Sequence, residues 1–238
     1  MSDALLLCEL HAHTTWSDGE FTIPELVDLY GTLGFDVLCV TDHVVRADDP
    51  IPRSVGADEW HAYVYELDRE AIRARRTYDL LLLPGLELSD NRENPNDSAH
   101  ALALGLRRHV SVDDGILAAI LESRSAGAAI VAAHPYDAAD ITPMRATRRF
   151  ALERETFESL VDRWELFNRR EVFAWIANEG LPGIATGDVH DERHISSWKT
   201  LIPAAKDEEA VIAYLRSEGR TYLTPFAAEE IAAAAVAA

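Results

Sequence analysis

The chain has 238 residues, 48% of them hydrophobic, and a formal net charge of −19. That is enough apolar material for one large core, and an acidic balance of this size argues against a basic face for long nucleic acid. Two cysteines exclude a disulfide framework, and no apolar run approaches the ~20 residues of a membrane-spanning helix.

Residues 4–10 form an apolar run that ends at His11. Thr22-Ile23-Pro24-Glu25 reads as a capping box with proline in the first turn. Leu26, Val27, Tyr30 and Leu33 give the helix that follows an apolar face, and Gly34 stops it. A second run, 36–40, ends at Thr41-Asp42-His43; a polar loop (46–56) and a long helix (59–76) follow. The third run, 79–83, ends at Pro84-Gly85-Leu86-Glu87, and a loop rich in Asn and Asp (89–98) leads to a fourth run, 100–106, that opens on His100. Residues 112–126 read as a helix, and the fifth run, 128–133, ends at His134-Pro135. Residues 138–155 hold a basic cluster, Arg145, Arg148 and Arg149. The sixth run, 164–167, precedes a helix at 170–179, and the seventh, 182–186, ends at Gly187-Asp188. Residues 198–202 and 221–223 read as late strands flanking a helix at 208–217, and the alanine-rich tail, 231–238, as a frayed or loosely docked helix.

Such alternation implies an α/β fold with a mostly parallel sheet, open or closed into a barrel, and about seven units favour the barrel. No linker divides residues 1–238, so one domain is expected. Cys8 and Cys39 lie in apolar runs and read as small buried hydrophobes. The polar start, residues 1–4, has no basic leader region, so the expected compartment is the cytoplasm.

The chemistry lies at the ends of these runs. In parallel α/β folds the carboxyl ends of the strands converge on one face. His11, His13, His43, Glu87, His134, Asp188 and His190 should therefore meet there, whereas His100, at the start of its run, is not placed by this argument. Imidazole nitrogen and carboxylate oxygen together suit zinc, manganese or iron. Six histidines with Glu87, Asp188 and Asp18 exceed what one ion uses; at roughly four ligands per ion they imply two or three divalent ions sharing a carboxylate. In His11-Ala12-His13, alternate strand residues point the same way, so both imidazoles can hold one ion. A single strand-end histidine is more often structural; five separate strand ends bearing such groups make the case. His61 and His109 fit no such pattern and read as surface residues, and His194 stands close enough to His190 to support it.

His11-Ala12-His13-Thr14 with Ser17-Asp18-Gly19, then Thr41-Asp42-His43, Gly85-Leu86-Glu87, His134-Pro135 and Gly187-Asp188-Val189-His190, resemble in order and spacing the PHP (polymerase and histidinol phosphatase) domain, over about residues 5–202. The resemblance implies a distorted (β/α)7 TIM-like barrel with a trinuclear metal site at the C-terminal face of its strands. Carried over by motif position, His11, His13, Glu87 and Asp188 would hold one ion. Glu87, His100 and His134 would hold a second, with Glu87 bridging. Asp18, His43 and His190 would hold the third, Asp18 standing where some members have histidine. Asp42 would orient a metal-bound imidazole. Glu165 and Asn168 look like the family's Glu-x-x-Asn motif and are expected in support. The family includes histidinol phosphate phosphatases, nucleotide phosphatases, exonucleases and polymerase proofreading modules. Many small members carry an inserted helical domain, where this chain has only a short basic stretch between His134 and Trp164.

The expected function is therefore a metal-dependent phosphoesterase that hydrolyses a small phosphomonoester or nucleotide through a hydroxide bridging two ions. Glu87, Asp188 and His190 are the expected catalytic groups. Arg46 and Arg145 are the candidates to bind the substrate phosphate, since an arginine fork matches phosphate oxygens. Arg148 and Arg149 read rather as a solvated helix face, Lys199 as facing the site and Trp198 as packing. Three other readings stand beside this one: an exonuclease or oligonucleotide phosphodiesterase, a metal-dependent hydrolase of a carbonyl substrate, and a non-catalytic metal-binding regulatory domain. The expected partner is a small phosphorylated substrate, with no membrane; the oligomeric state is open.

Overall fold

The computed structural model describes residues 5–49, 53–137 and 147–228; Arg145 and the alanine-rich tail lie outside them. The first helix forms where the sequence places it. Helix α1 (Ile23–Thr32) follows strand β1 (Leu5–Glu9), and the Thr22 side chain and Glu25 cap each other's backbone N–H groups. Gly34 then turns the chain at a φ of 77°, a left-handed conformation that glycine adopts without strain. Strands β2 (Val37–Val40) and β3 (His43–Val45) lead to helix α2 (Trp60–Tyr78), which buries Trp60, Tyr63, Leu67 and Ala74, spaced to share one face. Strands β4 (Leu81–Asp90) and β5 (Ala99–Leu104), helix α3 (Ile116–Ser125) and strand β6 (Ala129–Ala133) come next. Two short helices, α4 (Arg149–Leu152) and α5 (Arg154–Phe157), precede strand β7 (Arg163–Asn168). Strand β8 (Glu171–Val172), helix α6 (Ala174–Asn178) and strand β9 (Gly183–Thr186) follow, and strand β10 (Trp198–Pro203), helix α7 (Glu208–Leu215) and strand β11 (Tyr222–Pro225) complete the order. None of the described helices is long and apolar enough to cross a membrane.

All the strands join one curled sheet in the order β11-β10-β1-β2-β4-β5-β6-β7-β8, with β3 also on β4 and β9 on β7. The seven apolar runs of the sequence correspond to β1, β2, β4, β5, β6, β7 and β9. Beyond β9, Val189 bridges Ala12 in parallel: His13 N–H donates to Val189 O (2.8 Å) and Val189 N–H to His11 O (3.0 Å). The continuation of the seventh run thus meets that of the first.

The expected mostly parallel sheet is corrected: β1–β10, β10–β11, β4–β5, β5–β6 and β7–β8 all pair antiparallel. Strand β5 runs antiparallel to both β4 and β6. Residues 91–98 join β4 to β5 through a single 3-10 turn at Pro95–Asp97, too short for the dozen or so residues that a parallel crossover needs. The helix expected at 170–179 is instead a two-residue turn, the short strand β8 and the five-residue α6. Along the strands, alternate residues sort into two apolar layers. Leu38, Leu82 and Ile130 pack with the α1, α2 and α3 side, while Val37, Leu83 and Val131 pack with Val211 and Leu215 of α7.

A buried ion pair holds the seam between β1 and β9. Glu9 and Lys199 are both fully buried and pair with each other, so Lys199 does not face the site as expected. Burial pushes the Lys199 pKa down against the pull of Glu9. Oε1 of Glu9 accepts the backbone N–H groups of Leu10 (3.1 Å), His11 (3.2 Å) and Gly187 (2.9 Å), and Oε2 accepts the Tyr30 hydroxyl at 3.2 Å. A Cβ at position 187 would meet this carboxylate and come within 2.6 Å of Lys199 Nζ, so only glycine fits. Glu9→Gln would leave the Lys199 ammonium buried without its counter-charge. We expect a loss of about 3–5 kcal/mol in urea unfolding; a loss below about 1 kcal/mol would show that the pair does not hold the seam.

Candidate metal centre

Glu87 lies near the end of β4, almost fully buried, and both of its oxygens are surrounded by imidazoles. Oε2 lies 3.2 Å from His11 Nε2, 3.2 Å from His13 Nε2 and 3.1 Å from His43 Nδ1. Oε1 lies 2.9 Å from His100 Nδ1 and 3.1 Å from His134 Nε2. The reversed direction of β5 explains His100. Its first residues lie on the face where the parallel strands end, with His100 opposite Ser89 of β4 in register. Asp188 Oδ1 completes one side, 3.4 Å from Nε2 of both His11 and His13. On the outer side, Asp18 Oδ1 lies 3.3 Å from His190 Nε2, 3.5 Å from His43 Nε2 and 3.9 Å from His13 Nδ1. The nine expected ligands are therefore brought together.

The chemistry of these atoms tests whether a metal fits. His11 Nδ1 lies 2.8 Å from Glu165 Oε1, and a carboxylate only accepts, so the neutral ring carries its proton on Nδ1. Its Nε2 lone pair then faces the oxygens of Glu87 and Asp188, which only accept, and lies 3.0 Å from His13 Nε2. Ligands about 2.1 Å from a tetrahedral ion lie roughly 3.4 Å from one another, and the separations in this set are 3.0–3.4 Å. Three such sets share members: His11, His13 and Asp188; His43, Glu87 and His100; His13, Asp18, His43 and His190. The residues present fit a divalent metal cluster.

Without a metal, protons take up this role. Burial disfavours the charged form of His11, but Asp188, Glu87 and Glu165 outweigh it and hold its pKa well above the ordinary value. Against the same cost of burial, Asp188 and Glu87 raise His13 to about 9. The imidazoles in turn hold Glu87 and Asp188 well below the usual carboxylate range despite burial. For His43 burial wins, and its pKa falls to about 3.

Most of the candidate imidazoles are steadied from behind. Glu165 holds His11, and its Oε2 accepts the backbone N–H of His134 (2.6 Å) and the side-chain amide of Asn168 (2.7 Å). Ser89 Oγ meets His43 Nδ1 at 2.7 Å, Asn91 Oδ1 meets His100 Nε2 at 2.9 Å, and Thr147 Oγ1 meets His134 Nδ1 at 3.2 Å. Asp42, expected to orient an imidazole, instead accepts the Thr14 N–H (2.7 Å), the Thr14 hydroxyl (2.7 Å) and the Ser17 hydroxyl (2.6 Å). It reaches His13 only through Ser17 Oγ, 3.4 Å from His13 Nδ1.

Arg46 is engaged elsewhere: it forks onto Asp48 through Nε and Nη2, each at 2.8 Å, and leans toward Asp90. The arginine that does reach the centre is Arg169. Its Nε donates to Asp188 O (2.9 Å), and its Nη2 lies 3.1 Å from Asp188 Oδ2 and 2.8 Å from His190 Nδ1. No periodic pattern marks it, because the residues after it read as a helix. Ser89 was more accessible: it lies two residues beyond Glu87 on one strand and so on the same face. His194 Nδ1 accepts the His190 N–H at 3.2 Å; His61 is exposed, whereas His109 is half-buried, with Nε2 3.2 Å from Val55 O. Among the described non-glycine residues, four have positive φ, and three of them, His134, Arg169 and Asp188, stand at this centre. Strained backbone of this kind gathers where a site over-determines its residues.

No family model and no curated protein matches the sequence. Solved structures match its fold. A two-domain protein from Bacteroides vulgatus ATCC 8482, containing a predicted PHP-like metal-dependent phosphoesterase, has a TM-score of 0.61 at 17% identity, covering 93% of this chain. This chain spans only 65% of the length of that protein. PsfC from Pseudomonas syringae PB-5123 has a TM-score of 0.57 at 15% identity, over 98% of this chain and 97% of PsfC. A candidate metal-dependent phosphoesterase from Bifidobacterium adolescentis ATCC 15703 has a TM-score of 0.50 at 18% identity, over 78% of this chain and 88% of that one. The chain has the fold of PHP-like proteins.

Glu165→Gln keeps the shape of the group behind His11 and removes its charge. Titration against a chelating dye should show metal affinity falling about 10–100-fold with an unchanged circular dichroism spectrum. Unchanged affinity would mean that Glu165 only packs.

Proposed function

We propose that this chain is a metal-dependent phosphoesterase of the PHP type, a distorted (β/α)7 barrel acting on a small phosphomonoester or nucleotide. The observation that carries the reading is the buried carboxylate of Glu87 with imidazoles at both oxygens. The fold shared with PHP-like proteins supports it.

His11, His13, Glu87 and Asp188 would hold one divalent ion, Glu87, His100 and His134 a second, and Asp18, His43 and His190 a third, drawn from manganese, zinc or iron. When bound, such ions activate water near neutral pH and neutralise phosphoryl oxygens. The protein fixes the geometry. Glu87 spans two positions through its two oxygens. Asp188 turns Oδ1 toward His11 and His13 while Arg169 holds Oδ2. Hydrolysis adds a water oxygen to phosphorus, breaks the ester P–O bond and gives the departing alcohol a proton. His190 is half-buried beside the exposed Asp18, on the side where solvent reaches the centre.

Two outcomes test this. With added Mn²⁺, the protein should release inorganic phosphate from a panel of phosphomonoesters and nucleotides; metal uptake with hydrolysis only of amide or lactone bonds would overturn the phosphoester assignment. Glu87→Ala should lose both turnover and metal content, and full activity in that variant would remove the bridging role.

A further inference from the structure

Resting on the phosphoesterase reading, we infer that the turn Arg169-Arg170 is an anion-recognition element, and that the substrate is a phosphoester carrying a second anionic group, carboxylate or phosphate, on its alcohol half.

A cavity of about 620 Å³ opens directly from the metal centre, with His134 and Asp188 in its wall. Its volume lies in the range of small-molecule sites. Arg169, Arg170 and Arg193 also line it, in a chain whose net charge is −19. Their charges are not equally available. Arg193 forks onto Asp191 at 2.9 and 2.6 Å, which neutralises it. Glu171, the acid on the same wall, accepts the Tyr136 hydroxyl. Arg169 is half-buried and turned inward onto Asp188 and His190, at the edge of the place where a phosphoryl group would meet the ions. Arg170 is exposed and makes no ion pair among the described residues. One arginine therefore faces the reacting group, and the next, though beside Glu171 in sequence, stands without an ion-pair partner among the described residues at the exposed side of the same cavity.

The backbone supports a functional origin. Asn168 and Glu171 pair across the β7–β8 hairpin, so Arg169 and Arg170 are its two turn residues. Arg169 has a φ of 53°. Two-residue hairpins favour glycine or asparagine at such a position, because a larger side chain is strained there. An arginine kept in that conformation, with its guanidinium fixed by three contacts to Asp188 and His190, is placed for what the guanidinium does. Planar forks of this kind match carboxylate and phosphate oxygens.

The test compares three small phosphoesters with the Mn²⁺-loaded protein: phosphoglycolate, with a carboxylate; ethane-1,2-diyl bisphosphate, with a second phosphate; and phosphoethanolamine, with a cation instead. Wild type should favour at least one of the two substrates with a second anionic group over phosphoethanolamine by about tenfold or more in kcat/KM, and which of them leads identifies the second anion. In Arg170→Gln that ratio should fall toward one, mainly through KM. Calorimetric binding of phosphonoacetate, which cannot be hydrolysed, should weaken about tenfold in the same variant. Phosphate release with equal kcat/KM for all three substrates, or an unchanged ratio in Arg170→Gln, overturns this inference and leaves the phosphoesterase reading standing. No phosphate release from any phosphoester overturns the reading beneath it.

Discussion

Imidazole nitrogens crowded against buried carboxylate oxygens need positive charge, and the centre of this protein is arranged around that need. Nε2 of His11 and Nε2 of His13 lie 3.0 Å apart, and each lies 3.2 Å from an oxygen of Glu87 and 3.4 Å from one of Asp188. Packing them at that spacing inside a core is tolerable only if protons or metal ions are present. The raised pKa values of His11 and His13 and the depressed ones of Glu87 and Asp188 are the same constraint seen without a metal.

The rest of the fold supplies what that arrangement requires. His11 and Asp188 lie 177 positions apart in the chain, yet one carboxylate, Glu9, accepts the N–H of His11 and that of Gly187, the residue before Asp188, while paired with Lys199. Glu165 does similar work on another side, joining His11, His134, Asn168 and Thr186. The ligands therefore sit on strand ends whose backbones are themselves hydrogen-bonded to buried carboxylates, which limits how far they can relax apart.

Much of this was legible in the sequence, and the exceptions have physical reasons. The seven apolar runs, the capped first helix and the convergence of strand-end histidines followed from pattern alone. The strand-end argument did not place His100, which only the family resemblance put at the site, because a strand's direction leaves no mark on its periodicity and β5 turns back. Lys199 read as facing the site because it follows His190 closely, whereas its partner Glu9 lies 190 positions away. Arg169 was hidden because an apolar spacing after it suggested a helix, where the chain makes a tight turn that arginine rarely occupies.

The most direct test of the central claim is anomalous X-ray scattering from crystals of the protein loaded with Mn²⁺ or Zn²⁺. The account predicts at least two peaks, one on each side of the Glu87 carboxylate, each about 2.1 Å from ligand atoms among the imidazoles and carboxylates described. Density without anomalous signal at Glu87, or peaks bound only by exposed acidic residues, would contradict it.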